Sequence, residues 1–465
     1  MITNRIEHSK FHSARSTKMI IAALQAALES VSPGILVKQA VRLDGSLRVR
    51  DIYGNTTEFQ RFGNGYVVGA GKAAGAMADA LYTILTHRIS ASAITVPRGT
   101  RVTNRTIGVT EASHPVPDSS GVKGTEKIIE VLRRAEQGDL VFVLISGGGS
   151  ALMPMPASGL SLHDKQRVTT LLLESGASIH EINVVRKHLS SVKGGQLLKY
   201  SNKSCTFVSL ILSDVIGDDV AAIASGPTSP DTSTFKDAHN VLKKYRVEIP
   251  EAIDRHLCKG ERGELSDTPK PGNTIFSNVH NIVIGNNALG CNAAVDYLRR
   301  HGIQTVHIGS GFEGEARDFG RFLARLSSDF VTGSFAIVAG GETTVRLDRS
   351  RNGIGGRNQE AALAFAIELG RDVTAAFIGT DGIDGNSDAA GAIISPKTAL
   401  LAKKMDLEIY LDRHDSYHAL KKMRSLVFTG YTGTNVNDIA ITVSIVMKQY
   451  AKRRSAMGAH STCRN

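Results

Sequence analysis

Short apolar runs alternate with stretches of helical periodicity along most of this chain, and that alternation leaves few folds open to it. Strand-like runs separated by amphipathic helices read as parallel sheets covered on both faces. In the first half the pattern predicts a helix from Lys18 to Val31, then strands at Tyr66–Val68, Ala93–Val96, Thr106–Thr110, Leu140–Ile145 and Thr206–Leu212. Helices over Lys72–Leu85, Gly121–Arg134, Leu162–Ser175 and Ile179–Leu189 lie between them. At 465 residues the chain exceeds the size at which one core keeps growing, so two domains are expected. Residues 261–278 are charged, carry Pro269 and Pro271, lack periodicity, and are the best linker candidate. The expected organisation is a basic leader (1–17), an α/β domain (18–260), the linker, a second α/β domain (279–447) and a basic tail (448–465). Each domain is expected to hold a largely parallel sheet flanked by helices.

Four strand ends break into glycine. Ser146-Gly147-Gly148-Gly149-Ser150 follows Leu140–Ile145, and Gly69-Ala70-Gly71-Lys72 follows Tyr66–Val68. Gly340-Gly341-Glu342-Thr343-Thr344 follows Phe335–Ala339, and Gly355-Gly356-Arg357-Asn358-Gln359-Glu360 opens a helix. Glycine permits positive φ and close backbone approach, so successive N–H groups can converge on an anion. Two of the four breaks carry a cation, Lys72 or Arg357, which points to phosphoryl handling. In open α/β sheets ligands bind beyond the carboxyl ends of the strands, where Lys72 and Ser146 fall.

Composition narrows the partners. Lys and Arg number 55 against 44 Asp and Glu, a net charge of +11, which suits nucleic acid, an acidic surface or an anionic substrate. The cations are dispersed, aromatics are 5% and no zinc-ligand spacing occurs, so an anionic small molecule is favoured over nucleic acid. Cys205, Cys258, Cys291 and Cys463 form no paired spacing, as expected of reduced thiols in the cytoplasm. No apolar run reaches the ~18 residues of a membrane span, and no membrane partner is expected. The leader carries Arg5, Lys10, Arg15 and Lys18 against Glu7 alone, so a mitochondrial transit peptide is the alternative location.

Further candidates are weighed against plainer roles. His114, in His114-Pro115-Val116-Pro117-Asp118, either faces the site or is a satisfied loop histidine. Arg186 sits in a cation-rich helix end with Lys187, His188 and Lys193; such cations offset a helix dipole, or one guanidinium forks onto a carboxylate. Asp214, Asp218 and Asp219 follow a strand, where they form a solvated turn, hold a hydrated Mg²⁺ or supply a general base. Asp381, Asp384 and Asp388 repeat that logic, without the bidentate Glu that a Ca²⁺ loop requires.

These stretches resemble the glycerate 2-kinase family, whose second domain is called MOFRL and some of whose members carry the older label hydroxypyruvate reductase. The resemblance spans about residues 18–447 in family order. It runs through GAGKAAGAM from Gly69, HPVPD from His114, LISGGGSALMPMPASGLSLHDKQ from Leu144 and EINVVRKHLSSVKGGQL from Glu181. It continues through SDVIGDDVAAIASGPTSPD from Ser213, GGETTV from Gly340, GGRNQEAAL from Gly355, GTDGIDGNSDAAGA from Gly379 and TGYTGTNVNDI from Thr429. The resemblance implies two α/β domains around a cleft that holds the active site, and ATP-dependent phosphorylation of D-glycerate to 2-phosphoglycerate with Mg²⁺. It implies Lys72 and Arg357 as catalytic residues, with Asp214 in the site. Gly71, Ser146, Gly147, Gly148, Gly149, Ser150, Arg186, His114, Glu342 and Thr343 are the candidate substrate and phosphate contacts, and Asp214, Asp218 and Asp381 the candidate metal ligands. A monomer or homodimer is expected. Two departures stand out: His414 where the family usually has Asn, and Tyr431 where it usually has Pro.

The rivals are an NAD(P)-dependent hydroxypyruvate reductase and a phosphosugar- or nucleic-acid-binding protein. A dinucleotide fold needs an acid about 20 residues past its glycines, and Thr95–Arg98 offers none.

Overall fold

The computed structural model describes residues 15–59, 62–201, 205–329, 333–347, 353–369 and 372–445. The basic tail, most of the leader and Cys463 lie outside them. The chain forms two compact units. The first is Ser32–Asn286 with Gly433–Val436; the second is Asn287–Thr432 with the described parts of Met1–Val31 and Asn437–Asn465.

In the first unit β1 (Val41–Asp44), β2 (Ser46–Arg50) and β3 (Thr56–Phe59) make a small antiparallel sheet. Then β4 (Gly65–Ala70), β5 (Ile89–Pro97), β6 (Val109–Ala112), β7 (Leu140–Ser146), β8 (Thr206–Leu212) and β9 (Val279–Gly285) form one sheet in the order β6-β5-β4-β7-β8-β9. Every neighbouring pair in it is parallel. Both β4 and β7 are buried along their whole length, which is why they read as unbroken apolar runs. The chain moves outward in one direction from β4 to β6 and in the other from β7 to β9. The switch point therefore lies between β4 and β7, beneath the GAGK and SGGGS turns.

Helices Leu162–Glu174, Ile179–His188, Phe235–Lys244 and Glu251–Glu261 pack on a core of their own around Val168, Leu172, Ile182, Phe235 and Leu257. Three of the four start on capping boxes, Ser161/Asp164, Ser178/Glu181 and Thr234/Asp237. The expected linker is no linker. Thr268 is buried and donates to Asp231 Oδ2 at 2.9 Å, Asp267 meets His188 Nε2 at 3.0 Å, and the Asp231 amide donates to Pro269 at 3.0 Å. Its polar residues satisfy a buried network, which composition reads as solvent exposure. The following strand, β9, completes the first sheet instead of opening the second domain.

In the second unit β10 (Gln304–His307), β11 (Phe335–Gly341), β12 (Thr374–Gly379), β13 (Gly391–Ile394), β14 (Leu426–Val427) and β15 (Asp438–Ser444) are ordered β10-β11-β15-β12-β13-β14. Only β10 and β11 pair in parallel, so this sheet is mixed where a largely parallel one was expected. The βαβ rhythm does set β11 and β12 in the same direction, but the last strand, β15, inserts between them with opposite sense. Helices Ala316–Asp329 and Arg357–Glu368 contribute to the core of one face, and Arg15–Ser30 and Asn287–Arg300 to that of the other. The first helix thus belongs to the second unit, not the first. Among the described residues no single helix is long and apolar enough to cross a membrane.

Candidate functional site

The two glycine turns at the switch point do different things. In the GAGK turn the Gly71 amide donates to Thr95 O at 3.2 Å, Lys72 to Gly147 O at 2.9 Å and Ala73 to Ser146 Oγ at 3.0 Å. The backbone donors expected to face an anion there are therefore spent inside the protein. Gly71 is required instead by packing: at φ +148° a methyl group on it would overlap Ser146 Oγ. Ser146, buried, accepts from the Ala73 amide and staples the two turns together.

The SGGGS turn is the reverse. Gly148 takes φ +82°, and among the described residues the amides of Gly147, Gly148, Gly149 and Ser150 donate no hydrogen bond to the protein. Unspent amides on a glycine loop beyond a parallel strand can receive an anion, which makes this turn a candidate cradle. Side chains converge on it. A methyl group on Gly148 would stand 2.9 Å from the His114 ring and 3.4 Å from Lys72 Cγ, and one on Gly147 would overlap Asp214 Oδ2 and Asn435 Nδ2. Lys72, His114 and Asp214 are thus brought to one loop. The His114–Pro115 bond is cis, and Asp118 caps the helix Ser119–Leu132 through the Gly121 amide at 3.0 Å.

Asn435 escaped sequence reasoning although its motif was in view; its amide reaches Asp214 Oδ2 at 3.3 Å. Asp218 does not join that group: its Oδ2 accepts from Asn286 Nδ2 at 2.6 Å and the Tyr53 hydroxyl at 3.2 Å, on a separate cavity with Asp51 and His280. The cations of the Val184–Lys193 stretch are sorted likewise. Lys187 pairs with Asp231 at 3.2 Å and His188 with Asp267 at 3.0 Å, whereas Arg186 has no ion pair among the described residues. A chain of contacts, Ser150 Oγ to Ser225 Oγ at 2.8 Å and Ser225 Oγ to Asn183 Oδ1 at 2.9 Å, ties the cradle to the helix that carries Arg186.

The second unit holds its own polar cluster at the end of the sheet where Gly341, Asp438 and Gly379 lie side by side. Arg357 Nε and Nη2 fork onto Asp438 at 2.6 and 3.3 Å, and Nη1 reaches Glu342 Oε1 at 2.7 Å. Burial works against the Arg357 charge, but these two carboxylates override it and hold its pKa above the ordinary value. Burial pushes Asp438 up while Arg357 pulls it down; a guanidinium forked onto it with Asn358 Nδ2 at 2.9 Å is a geometry built for the ionised form.

Three expectations change here. Glu342 supports Arg357 instead of contacting phosphate, as a like-charged group must. Thr343 lines a narrow crevice walled mainly by Phe312, Phe319 and Phe377, with Asn358 and Asp438 also on it. Asp384 is neither exposed nor a ligand: its carboxylate accepts from the Asn358 and Gln359 amides at 3.1 and 2.8 Å, capping the helix Arg357–Glu368 from another loop. Gly356 is glycine because a methyl there would overlap Asp384. Asp381 accepts from the Ile383 amide at 3.1 Å. His414 sits at φ +51°, which accounts for Asn as the family's usual residue; its ring meets Glu360 at 3.1 Å. Tyr431 is 39% exposed and displaces no core residue. Among the described residues no three His, Cys, Asp or Glu side chains converge as a metal cluster.

Residues 19–258 match the model of a domain of unknown function, DUF4147, and residues 335–438 match the MOFRL family. A glycerate 2-kinase of Pyrococcus horikoshii is 42% identical over 83% of this chain and 88% of its own length. The chain belongs to the glycerate 2-kinase family. The family's crystal structure of a glycerate kinase from Thermotoga maritima aligns with a TM-score of 0.78 at 39% identity, covering 92% of this chain and 99% of that one. A relative from Agrobacterium vitis that bears the name hydroxypyruvate reductase is 42% identical over 80% of this chain and 97% of its own. A family of kinases acts on a small-molecule substrate with a nucleotide as the other substrate.

Proposed function

We propose that this protein transfers the γ-phosphoryl group of ATP to the C2 hydroxyl of D-glycerate, giving 2-phosphoglycerate. One observation carries the reading: four unspent amides at Gly147–Ser150, flanked by Lys72, stand at the switch point of a parallel sheet. Phosphoryl transfer is catalysed by positioning and charge stabilisation, so no covalent nucleophile is needed. The cradle and the Lys72 ammonium hold phosphoryl oxygens. Arg357 spends three of its five N–H donors on Asp438 and Glu342 and keeps two for charge developing on substrate. Asp214, oriented by Asn435, accepts the proton of the hydroxyl or holds metal.

Mg²⁺ fits this donor set, because it takes one or two carboxylates and completes its shell with phosphate oxygens and water. Asp214 would hold it in the first unit, and when bound it neutralises phosphate charge. Free thiols at Cys205, Cys258 and Cys291 support a cytoplasmic location, and a monomer or homodimer is the assembly we propose.

The test is ADP formation from ATP, Mg²⁺ and D-glycerate, with the product identified by NMR and Lys72→Ala run alongside. Lys72→Ala keeps the amide that donates to Gly147 O in the turn, so the variant is expected to fold and to lose at least ~100-fold in kcat. Oxidation of NAD(P)H with hydroxypyruvate and no ADP would overturn the kinase reading. The spent GAGK amides and the absence of an acid at Thr95–Arg98 count against that reductase.

A further inference from the structure

Three basic residues of the first unit, Lys165, Arg186 and Lys193, make no ion pair among the described residues. Lys165 is buried, and its Nζ donates to the carbonyls of Pro154 and Met155 at 3.3 and 3.4 Å. Lys193 is 2% exposed and donates to Ala224 O at 3.3 Å. The Arg186 guanidinium makes no hydrogen bond and no ion pair among the described residues. Printed contacts aside from charge tie the three to one place: Ala224, which accepts from Lys193, precedes Ser225, which donates to Asn183 one helical turn before Arg186, and Met155, which accepts from Lys165, also accepts from Ser190 Oγ at 3.0 Å. Burial first, then these neighbours, pulls Lys165 down to about 7 and Lys193 well below its ordinary value.

A protein that buried these groups for stability would pair them, as it does Lys187 with Asp231 and His188 with Asp267 nearby. Backbone strain marks the same place. Ala224 and Ser225 take φ +51° and +59°, a region costly for residues with a Cβ. That strain presents Ala224 O to Lys193 and Ser225 Oγ to Ser150 and Asn183. The neighbourhood of these residues is thereby joined to the SGGGS turn through Ser150.

We propose that Lys165, Arg186 and Lys193 form an oxyanion subsite that takes a carboxylate or phosphate group of a substrate whose other end lies in the Gly147–Ser150 cradle. The class of ligand follows from the donors: an anion placed among these groups favours the protonated lysines, whose N–H donors then face it, and Arg186 supplies a fork for two oxygens. The proposal rests on the kinase reading for the identity of the substrate, but not for the existence of the subsite.

The experiment uses the full chain with Arg186→Gln and Lys193→Met. The Arg186 guanidinium has no hydrogen bond or ion pair to lose among the described residues and glutamine keeps part of its stem, so this variant is expected to melt close to wild type even if Lys193→Met does not. Inorganic phosphate is titrated by calorimetry in a Lys72→Ala background, which weakens the neighbouring cradle, and both variants are expected to raise Kd at least tenfold. Steady-state KM values then separate the sources. A tenfold rise for D-glycerate with ATP within twofold assigns the carboxylate, and the reverse assigns a nucleotide phosphate. Unchanged phosphate affinity and unchanged KM for both substrates in folded variants would overturn the subsite. Phosphate binding that the variants abolish, in a protein without ATP–glycerate turnover, would keep the subsite and discard the kinase reading.

Discussion

Arg357→Met removes a guanidinium while keeping much of the stem's volume, and its cost can be worked from the contacts. Asp438 loses donors at 2.6 and 3.3 Å and keeps Asn358 Nδ2 at 2.9 Å, which it shares with the buried carboxylate of Asp384. Breaking a buried pair from one side costs about 3–5 kcal/mol. Side-chain exposures of 31% for Arg357 and 44% for Glu342 let water offset part of this, so about 3 kcal/mol is expected at pH 8. For a domain of 150–250 residues that is about 6–12 °C in Tm. The pH dependence has a definite sign. Burial already pushes the Asp438 carboxyl up, and deleting Arg357 removes what pulls it down. A carboxyl raised above its unfolded value gives a folded state that holds more protons, so stability falls as pH rises through the folded pKa and acid restores it. Melting curves at pH 5 and pH 8, for wild type, Arg357→Met and Arg357→Met/Asp438→Asn, should show the deficit at least halved at pH 5 and largely repaired in the double variant. An equal deficit at both pH values, or no repair by Asp438→Asn, would refute the reasoning. The outcome also decides whether lost turnover in Arg357 variants reports chemistry or a loosened site.

Asp384→Ala strips the cap from two buried amides, at about 2–3 kcal/mol, and chemical denaturation should show it without a change in m-value. Gly147→Ala drives a methyl into Asp214 and Asn435; we expect about 1–3 kcal/mol of destabilisation and a fall in kcat of at least tenfold, and kinetics indistinguishable from wild type would dismiss the tight loop. Glu181 is held at about 2, chiefly by Lys244 and then by Ser178 and Tyr245. Its lowered pKa contributes stability above the ordinary 4.5 that is lost as pH falls towards 2. Glu181→Gln should therefore cost about 1 kcal/mol at pH 6 and almost nothing at pH 2.5, read from Tm against pH.

Much of this molecule was legible in local pattern. Fully buried parallel strands must be apolar throughout, so β4, β7 and β8 were visible as runs, and a turn that ends such a strand must use glycine to approach its neighbour. The catalytic candidates Lys72 and Arg357 were visible for the same reason, each beside glycines that no other residue can replace. Local pattern also placed the starts of the helices at Leu162 and Ile179, where capping boxes involve residues three apart. What it could not show is who spends which donor. That the GAGK amides are consumed by Thr95, Ser146 and Gly147 while those of Gly147–Ser150 are free depends on residues brought together by the pairing of β4 with β7. Asp384 as a cap, Asp267 and Thr268 as a buried clasp instead of a linker, and β15 reversed between β11 and β12 are likewise long-range outcomes. Hydrogen bonds and ion pairs between distant segments carry no periodicity, and only the tertiary structure decides them.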